Sequence, residues 1–494
     1  MIVDTDRIRA ALSTKTDGRR KAQYGQFLTP SPVAQFMASL FRSGCVPECR
    51  LLDAGAGVGA LSAAFLERWR SGGFDFQHVR VDAFEIDESL HPYLIQTLEA
   101  YRRFLDVVPT VRGGDFVVEA AGSLSGDLFG KALPRYTHSI LNPPYKKIRS
   151  DSAHRAALRR VGIETVNLYS AFVALSLALL DEAGQLVAII PRSFCNGPYY
   201  RPFRSFLLGR AALRHMHLFD ARDKAFRDDN VLQENIIVLL ERGAQQEAVT
   251  VSVSTDDSFS DYSSHAHPFG AIVFRDDPDH FIHVPTSSAD KPVTQAPTVT
   301  TTLADLGIEV STGPIVEFRM REHIRDMPEV GTVPLLYPGH FSGEKTEWPK
   351  RNFRKPNAIL RNPDTEKCLF PSGFYTVVRR FSSKEERRRI VASVVDPAAF
   401  PGAESLGFEN HLNVFHCQRH GLPEDLTRGL TAFLNTSALD AYFRCFNGHT
   451  QVNATDLRRI KYPSYKTLVR LGKWTRRHPR LEQSTIDDKM KEMT

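Results

Sequence analysis

The sequence predicts an α/β protein, a doubly wound and mainly parallel sheet of Rossmann-like type, followed by a C-terminal unit of mixed α+β structure. Three observations lead there. Short apolar runs alternate with helical patterns from about residue 50 to residue 240, the spacing of βαβ units. The first of those runs ends in a glycine-rich turn, Gly55-x-Gly57-x-Gly59, whose backbone can bend sharply and approach a ligand at a helix start. After Gly243 the texture changes: Val249 to Val253 alternates like an exposed strand, and a Ser/Thr/Pro-rich stretch from Pro285 to Thr302 reads as a linker. The expected domains are 1–245, a strand-containing connector over 246–305, and a second unit over 306–494 that ends in a basic tail.

The elements follow in order. Val33, Phe36, Met37, Leu40 and Phe41 repeat at helical intervals behind Pro30-Ser31-Pro32, with Ser31 as the expected N-cap. Arg50 to Asp53 is a strand, Leu61 to Trp69 the helix after it, and Val79 to Phe84 a second strand that ends at Glu85. Pro92 to Phe104 is helical, Val111 leads strand-like into Gly114-Asp115-Phe116, and Ser139 to Leu141 is a fourth strand. Leu168 to Leu180 is an apolar helix, Gln185 to Ile190 a fifth strand, Tyr200 to Leu208 a helix, and Val231 to Leu240 a further strand region. Doubly wound sheets bind ligands at the C-terminal ends of their strands, where the Gly55, Glu85, Asp115 and Asn142 loops all fall.

Composition narrows the function classes. The chain has 494 residues, 42% hydrophobic and 24% charged, as in a globular protein of two or three domains. No apolar run reaches the ~18 residues of a membrane span, and the N-terminus lacks the pattern of a signal peptide. The six cysteines form no Cys-x-x-Cys pair, so a reducing cytoplasm is expected. His411, His416, Cys417 and His420 match no zinc spacing, and no metal is expected. The net charge of +6 is unevenly spread: 351–390 holds eleven Lys/Arg against four acids, and 457–480 holds nine with no acid. That asymmetry points to a polyanionic partner.

The chemistry is concentrated in Asn142-Pro143-Pro144-Tyr145. Two prolines stop a strand between an amide and an aromatic ring, an expensive arrangement for a plain turn. The Asn oxygen and a rigid backbone carbonyl can accept both hydrogens of an exocyclic amine while the Tyr ring stacks on its heterocycle. Together with the turn after Asp53, it suggests an S-adenosyl-L-methionine-dependent methyltransferase acting on a planar amine. Gly55-x-Gly57-x-x-Ala60 also satisfies a dinucleotide fingerprint, which leaves an NAD enzyme as the other reading of that loop. Glu85 can hold ribose hydroxyls or start a helix, and Asp115 can accept from an adenine amine or cap one.

These segments, taken in order, resemble the motifs of the gamma-group N6-adenine DNA methyltransferases, restriction–modification methylases with an N-terminal catalytic domain and a C-terminal target recognition domain. Tyr24 to Pro30, which includes Thr29, is similar to the motif beside the cofactor's methionine end. Asp53 to Gly59 is similar to the cofactor loop, Glu85 to the ribose acid, Asp115-Phe116 to the adenine-binding pair, and Asn142 to Tyr145 to the catalytic tetrapeptide. Ala225 to Asp228 resembles the segment whose aromatic, here Phe226, stacks a flipped base together with Tyr145. Glu409 to Asn413 and Gly448 to Leu457 resemble parts of the specificity region.

The resemblance implies S-adenosyl-L-methionine as cofactor, double-stranded DNA as substrate, a monomeric protein of the prokaryotic cytoplasm, and a cognate restriction endonuclease as functional partner. In the second unit Arg351, Arg354, Lys355, Arg379, Arg380, Arg458 and Arg459 are candidate phosphate contacts. Gln451 and Asn453 have the bidentate groups suited to adenine edges. An RNA-base or protein-glutamine methyltransferase would use similar Asn-Pro-Pro-aromatic chemistry. A DNA-binding subunit with a vestigial fold is the non-enzymatic reading, and the intact Asp53, Glu85, Asp115 and Asn142 set speaks against it.

Overall fold

The computed structural model describes residue 8 and residues 28–44, 47–126, 132–219, 234–275, 277–285, 298–342, 345–382, 386–447, 451–478 and 482–493. The chain divides into two compact units, Met1–Ser288 and Ala289–Thr494.

The first unit opens with α1 (Ser31–Ser39), whose N-cap is Pro30 rather than Ser31. The proline presets the extended entry, and Ser31 becomes the first helical residue. Then follow β1 (Glu48–Ala54), α2 (Ala60–Arg70), β2 (His78–Phe84), α3 (His91–Tyr101), β3 (Val107–Arg112), α4 (Phe116–Ser125), β4 (Tyr136–Leu141), α5 (Ala153–Arg160), α6 (Leu168–Leu179), β5 (Leu180–Pro191), α7 (Arg201–Leu208), β6 (Ala211–Phe219), β7 (Asn235–Arg242), β8 (Val249–Ser254) and β9 (Ser263–His267).

All nine strands join one sheet in the order β3-β2-β1-β4-β5-β7-β6-β8-β9. From β3 to β5 every pairing is parallel. β7 runs antiparallel to both β5 and β6, and β9 antiparallel to β8, so the sheet is mixed beyond β5. Strand order reverses about β1, which lies between β2 and β4, and this places a crevice outside the ends of β1 and β4.

The sheet is covered on both faces. Leu52, Ala54 and Leu141 pack with α4 and α6 on one side; Leu51, Val79 and Ile140 pack with α1, α2 and α3 on the other. α6 is apolar nearly all round and buried accordingly, because its non-sheet side is covered as well.

The stretch expected as a connector after residue 245 is different. Val249–Ser254 is paired on both edges, with β6 and β9, and Val249 and Val251 are buried. The alternation read as an exposed strand belongs to an interior one, and β8 and β9 complete the first sheet.

The second unit is built from small sheets. β10 (Glu309–Thr312), β20 (Leu412–His416), β17 (Tyr375–Arg379) and β18 (Ala392–Val395) form one antiparallel sheet. β11 (Ile324–Arg325), β15 (Ala358–Leu360), β12 (Thr332–Leu336), β19 (Ser405–Phe408) and β16 (Leu369–Pro371) form another, and β13 (Phe341–Ser342) pairs with β14 (Lys345–Thr346). The helices are α8 (Glu424–Leu434), α9 (Ser437–Phe446), α10 (Ala454–Arg459), α11 (Tyr465–Arg477) and α12 (Gln483–Met493). α8 and α11 approach so closely that a Cβ on Gly429 or Gly472 would run into the backbone of the facing helix. No helix among the described residues is long and apolar enough to cross a membrane.

Candidate active site

Asp53 of β1 pairs in register with Ile140 of β4. The loops leaving the two strands are therefore neighbours, and a Cβ on Gly55 would sit 3.8 Å from the Asn142 carbonyl oxygen. Gly55, Gly57 and Gly59 all have positive φ, at 84°, 57° and 85°, a conformation that disfavours side chains. Gly57 is also crowded, since a Cβ there would lie 2.9 Å from Leu28 Cδ2. The loop is fastened to the end of β2: Gly55 N and Ala56 N donate to the Phe84 carbonyl at 2.9 and 2.8 Å. Gly57 N donates to Glu85 Oε2 at 2.8 Å.

A cavity of about 340 Å³ opens over these loops. Gly55 and Gly57 floor it, Glu85 and Asp115 bring a carboxylate each, and Phe116 and Phe172 form an apolar wall with ring centroids 5.0 Å apart. Asn142 and Pro144 also line it. Glu85 is buried, and its second oxygen accepts from Asp87 N at 2.8 Å. Burial pushes its carboxyl above the usual range, against the pull of the two amides.

Asp115 does two things at once. Its Oδ1 caps α4 through Val117 N and Val118 N at 2.9 and 3.2 Å, and its Oδ2 lies 2.6 Å from His154 Nε2. Burial alone would raise this carboxyl, but the imidazole and the two amides outweigh it and hold it below the ordinary range. The same contact raises His154.

Asn142 leaves the end of β4 with its carboxamide held at both ends. Its Nδ2 donates to Thr29 Oγ1 at 3.1 Å, and the Tyr145 hydroxyl lies 3.3 Å from its Oδ1. That hydroxyl is also 3.3 Å from the Ile189 carbonyl at the end of β5. Pro143 is buried and Tyr145 half-buried, and the Tyr145 ring meets Tyr169 edge-on at 6.2 Å. Burial raises the Tyr145 hydroxyl well above its normal pKa, so it stays neutral and can donate.

The expected cofactor set thus divides. Gly55, Gly57, Glu85, Asp115 and Phe116 come together around the cavity. Thr29 is buried against Asn142 instead of lining the cavity. Asp53 lies beneath the loop, fully buried, and accepts from Ser62 N and Ser62 Oγ at 3.2 and 2.6 Å. It caps α2 from inside the core, and burial pushes its carboxyl up to about 7. Phe226 and Tyr24 to Phe27 lie outside the described residues. Lys146 and His154 also line the cavity; no local pattern marks either, and only the fold of the segment after Tyr145 brings them there.

In the second unit Arg351, Arg354 and Lys355 are exposed. Arg379 pairs with Glu386. Arg380 donates to the Asn410 carbonyl and to Gln451 Oε1, and Arg458 to the Val310 carbonyl. Asn453 precedes α10 in a capping box with Asp456. Arg459 is half-buried.

A glycine turn beside two carboxylates and an apolar wall, with an Asn-Pro-Pro-Tyr strand end at its mouth, defines an α/β methyltransferase site. Comparison with known proteins agrees. The Eco57I restriction-modification methylase family matches residues 140–226. The chain is 50% identical over 478 residues to the type II methyltransferase M.BsuBI of Bacillus subtilis, covering 96% of this chain and 95% of that one. It is 41% identical over 470 residues to the type II methyltransferase M.PstI of Providencia stuartii, covering 94% and 91%. A cryo-EM structure of a DrdV–DNA complex has the same fold, with a TM-score of 0.55 at 11% identity over 95% of this chain and 59% of that one. The chain belongs to the type II methyltransferases. It is a DNA methyltransferase of the restriction–modification class, and its cofactor is S-adenosyl-L-methionine.

Proposed function

We propose that the protein methylates the N6 amine of one adenine, flipped out of duplex DNA, within a short recognition site. What supports this reading above all is Asn142-Pro143-Pro144-Tyr145 at the mouth of a cavity whose walls suit an amphiphilic nucleoside. In it Gly55 and Gly57 let the backbone approach the cofactor. Glu85 holds its ribose, and Asp115 with Phe116 its adenine. S-adenosyl-L-methionine supplies an electrophilic sulfonium methyl group. Asp53 and Thr29 contribute indirectly, Asp53 by shaping the glycine turn and Thr29 by holding Asn142.

An exocyclic amine is a weak nucleophile because its lone pair is delocalised into the ring. Asn142 Oδ1 and the Pro143 carbonyl accept its two hydrogens and localise that pair. A carbonyl oxygen has two lone pairs, so Oδ1 can keep the Tyr145 hydroxyl while it takes the amine. Tyr145 and Phe226 cover the flipped base. Arg351, Arg354, Arg459 and Lys355, which also pairs with Glu317 at 2.7 Å, are assigned to the phosphates. Arg379, Arg380 and Arg458 are taken up inside the unit by Glu386, by Asn410 with Gln451, and by the Val310 carbonyl. Gln451 and Asn453 are assigned to the base edges. The modification protects DNA from a cognate endonuclease, and the protein acts as a monomer.

Asn142→Ala tests the centre of this reading. By analogy with removal of one stabilising group, turnover falls roughly 10²–10³-fold, while cofactor affinity measured by calorimetry stays close to wild type. Mass spectrometry of nucleosides from DNA treated with the wild-type protein should show N6-methyladenine. A product methylated on cytosine, or retention of a tenth of the turnover by the variant, would overturn it.

A further inference from the structure

The second unit holds a cleft that joins part of the Glu409 to Asn413 segment to residues distant from it in sequence. It has a volume of about 310 Å³, and its walls are Tyr337, Phe353, Lys355, Arg379, Phe381 and His411. Segments far apart in the chain meet there. Arg380 N donates to the His411 carbonyl at 2.8 Å and Val452 N to the Arg380 carbonyl at 2.7 Å, so Arg379 to Phe381 is stitched between the turn after β19 and the strand-like approach to α10. The Arg380 guanidinium reaches Asn410 and Gln451 and braces both sides.

His411 is held in a way that a surface loop does not require. The Glu409 side chain is 1% exposed and accepts from His411 N at 2.8 Å, with His411 Nδ1 2.6 Å from the same oxygen. Burying a carboxylate is costly unless it is well partnered, and here its partner is a ring whose side chain is 44% exposed. A hydrogen bond at one ring nitrogen orients the other. With Nδ1 turned in to Glu409, Nε2 faces outward, with no partner among the described residues. Phe381, 40% exposed, tilts over the imidazole at 4.9 Å. Aromatic rings exposed beside an oriented hydrogen-bonding group, inside a region with a charge balance of +7 over 351–390, fit a nucleic acid better than an acidic or apolar peptide.

We propose that this cleft reads a base pair of the recognition site, with His411 Nε2 presented to a base edge, Phe381 against the apolar part of the same nucleotide, and Lys355 toward the backbone. This rests on the reading of the protein as a DNA methyltransferase with a recognition site. Glu409 and Arg380 act here as positioning residues.

The experiment uses the full-length protein and a labelled duplex carrying the site mapped by long-read sequencing of DNA methylated by wild type, beside a scrambled duplex. Phe381→Leu and His411→Asn are compared with wild type for duplex affinity, methylation rate, cofactor affinity and melting temperature. Each variant is expected to lose roughly 5- to 100-fold in affinity for the cognate duplex, the range of one base contact. Scrambled-duplex affinity, cofactor affinity and melting temperature stay the same. Equal losses on cognate and scrambled DNA would reduce the cleft to a phosphate contact and overturn the reading role, and wild-type discrimination in both variants would overturn it too. If wild type itself methylates no duplex, the functional reading above fails first, an outcome that the wild-type control separates from failure of the cleft alone.

Discussion

The two units solve opposite problems. The first places its reactive groups on loops that leave adjacent strands of one sheet, so each loop's neighbour is dictated by strand order. Gly55 and Asn142 meet because β1 and β4 pair in register. The second has no single sheet to do this. Its cleft is assembled from turns near residues 337, 353, 380 and 411, drawn from separate small sheets and held by side-chain clamps such as Glu409–His411 and Arg380–Gln451. A reaction common to many enzymes is well served by a rigid sheet edge. Recognition that must differ from one protein to the next is better served by loops whose side chains can change without disturbing a shared core.

That contrast can be tested most severely at Asp53, where the first unit places a carboxyl inside its core. The folded carboxyl titrates near 7, against 3.8 for the unfolded chain. Between these values the folded state binds more protons than the unfolded one, so its contribution to stability is full below about 3.8 and is lost as pH rises through about 7. Asp53→Asn keeps the acceptor for Ser62 and removes this contribution, so the difference in unfolding free energy between wild type and variant should change between pH 4 and 8 by an amount on the order of 4 kcal/mol for a shift of this size. An equal pH dependence in both proteins would show that Asp53 is not the buried acid described.

A smaller effect is expected at Gly57. Alanine there must adopt a left-handed conformation and displace Leu28, which costs about 1–2 kcal/mol. Because the loop lines the cavity proposed to hold the cofactor, the cost should appear as weaker S-adenosyl-L-methionine binding in calorimetry, with DNA affinity unaffected. Reduced DNA affinity with normal cofactor binding would break the proposed division of labour between the units.

The smallest effect separates two arginines of the second unit. Arg351 is exposed, whereas Arg458 donates to the Val310 carbonyl at 2.8 Å. Arg351→Ala should lower the slope of log affinity against log salt by about 0.9, the loss of one phosphate contact. Arg458→Ala should instead lower the melting temperature and leave most of that slope in place. The reverse result would make the internal bond of Arg458 dispensable and its charge the part that matters.

By itself the sequence missed α4 (Phe116–Ser125) and α5 (Ala153–Arg160) but determined the strands of the first unit from β1 to β5, the helices α2, α3, α6 and α7, the glycine turn, and the tetrapeptide. Each is local: a period of two or 3.6 residues, a φ only glycine tolerates, a pair of prolines. It pointed equally well to Glu85, Asp115 and Phe116 as cavity residues, because strand ends in such a sheet face one crevice.

What only the tertiary structure decided is which partner each side chain takes. Asp53 and Glu85 both end strands, yet Ser62 draws Asp53 into the core while Glu85 stays at the cavity wall. Val249 to Val253 reads as an exposed strand until β6 and β9 enclose it. Lys146, His154 and the cleft around His411 exist only where segments distant in sequence converge. Sequence periodicity sets a residue's face, but burial and hydrogen bonding depend on neighbours that the fold alone supplies.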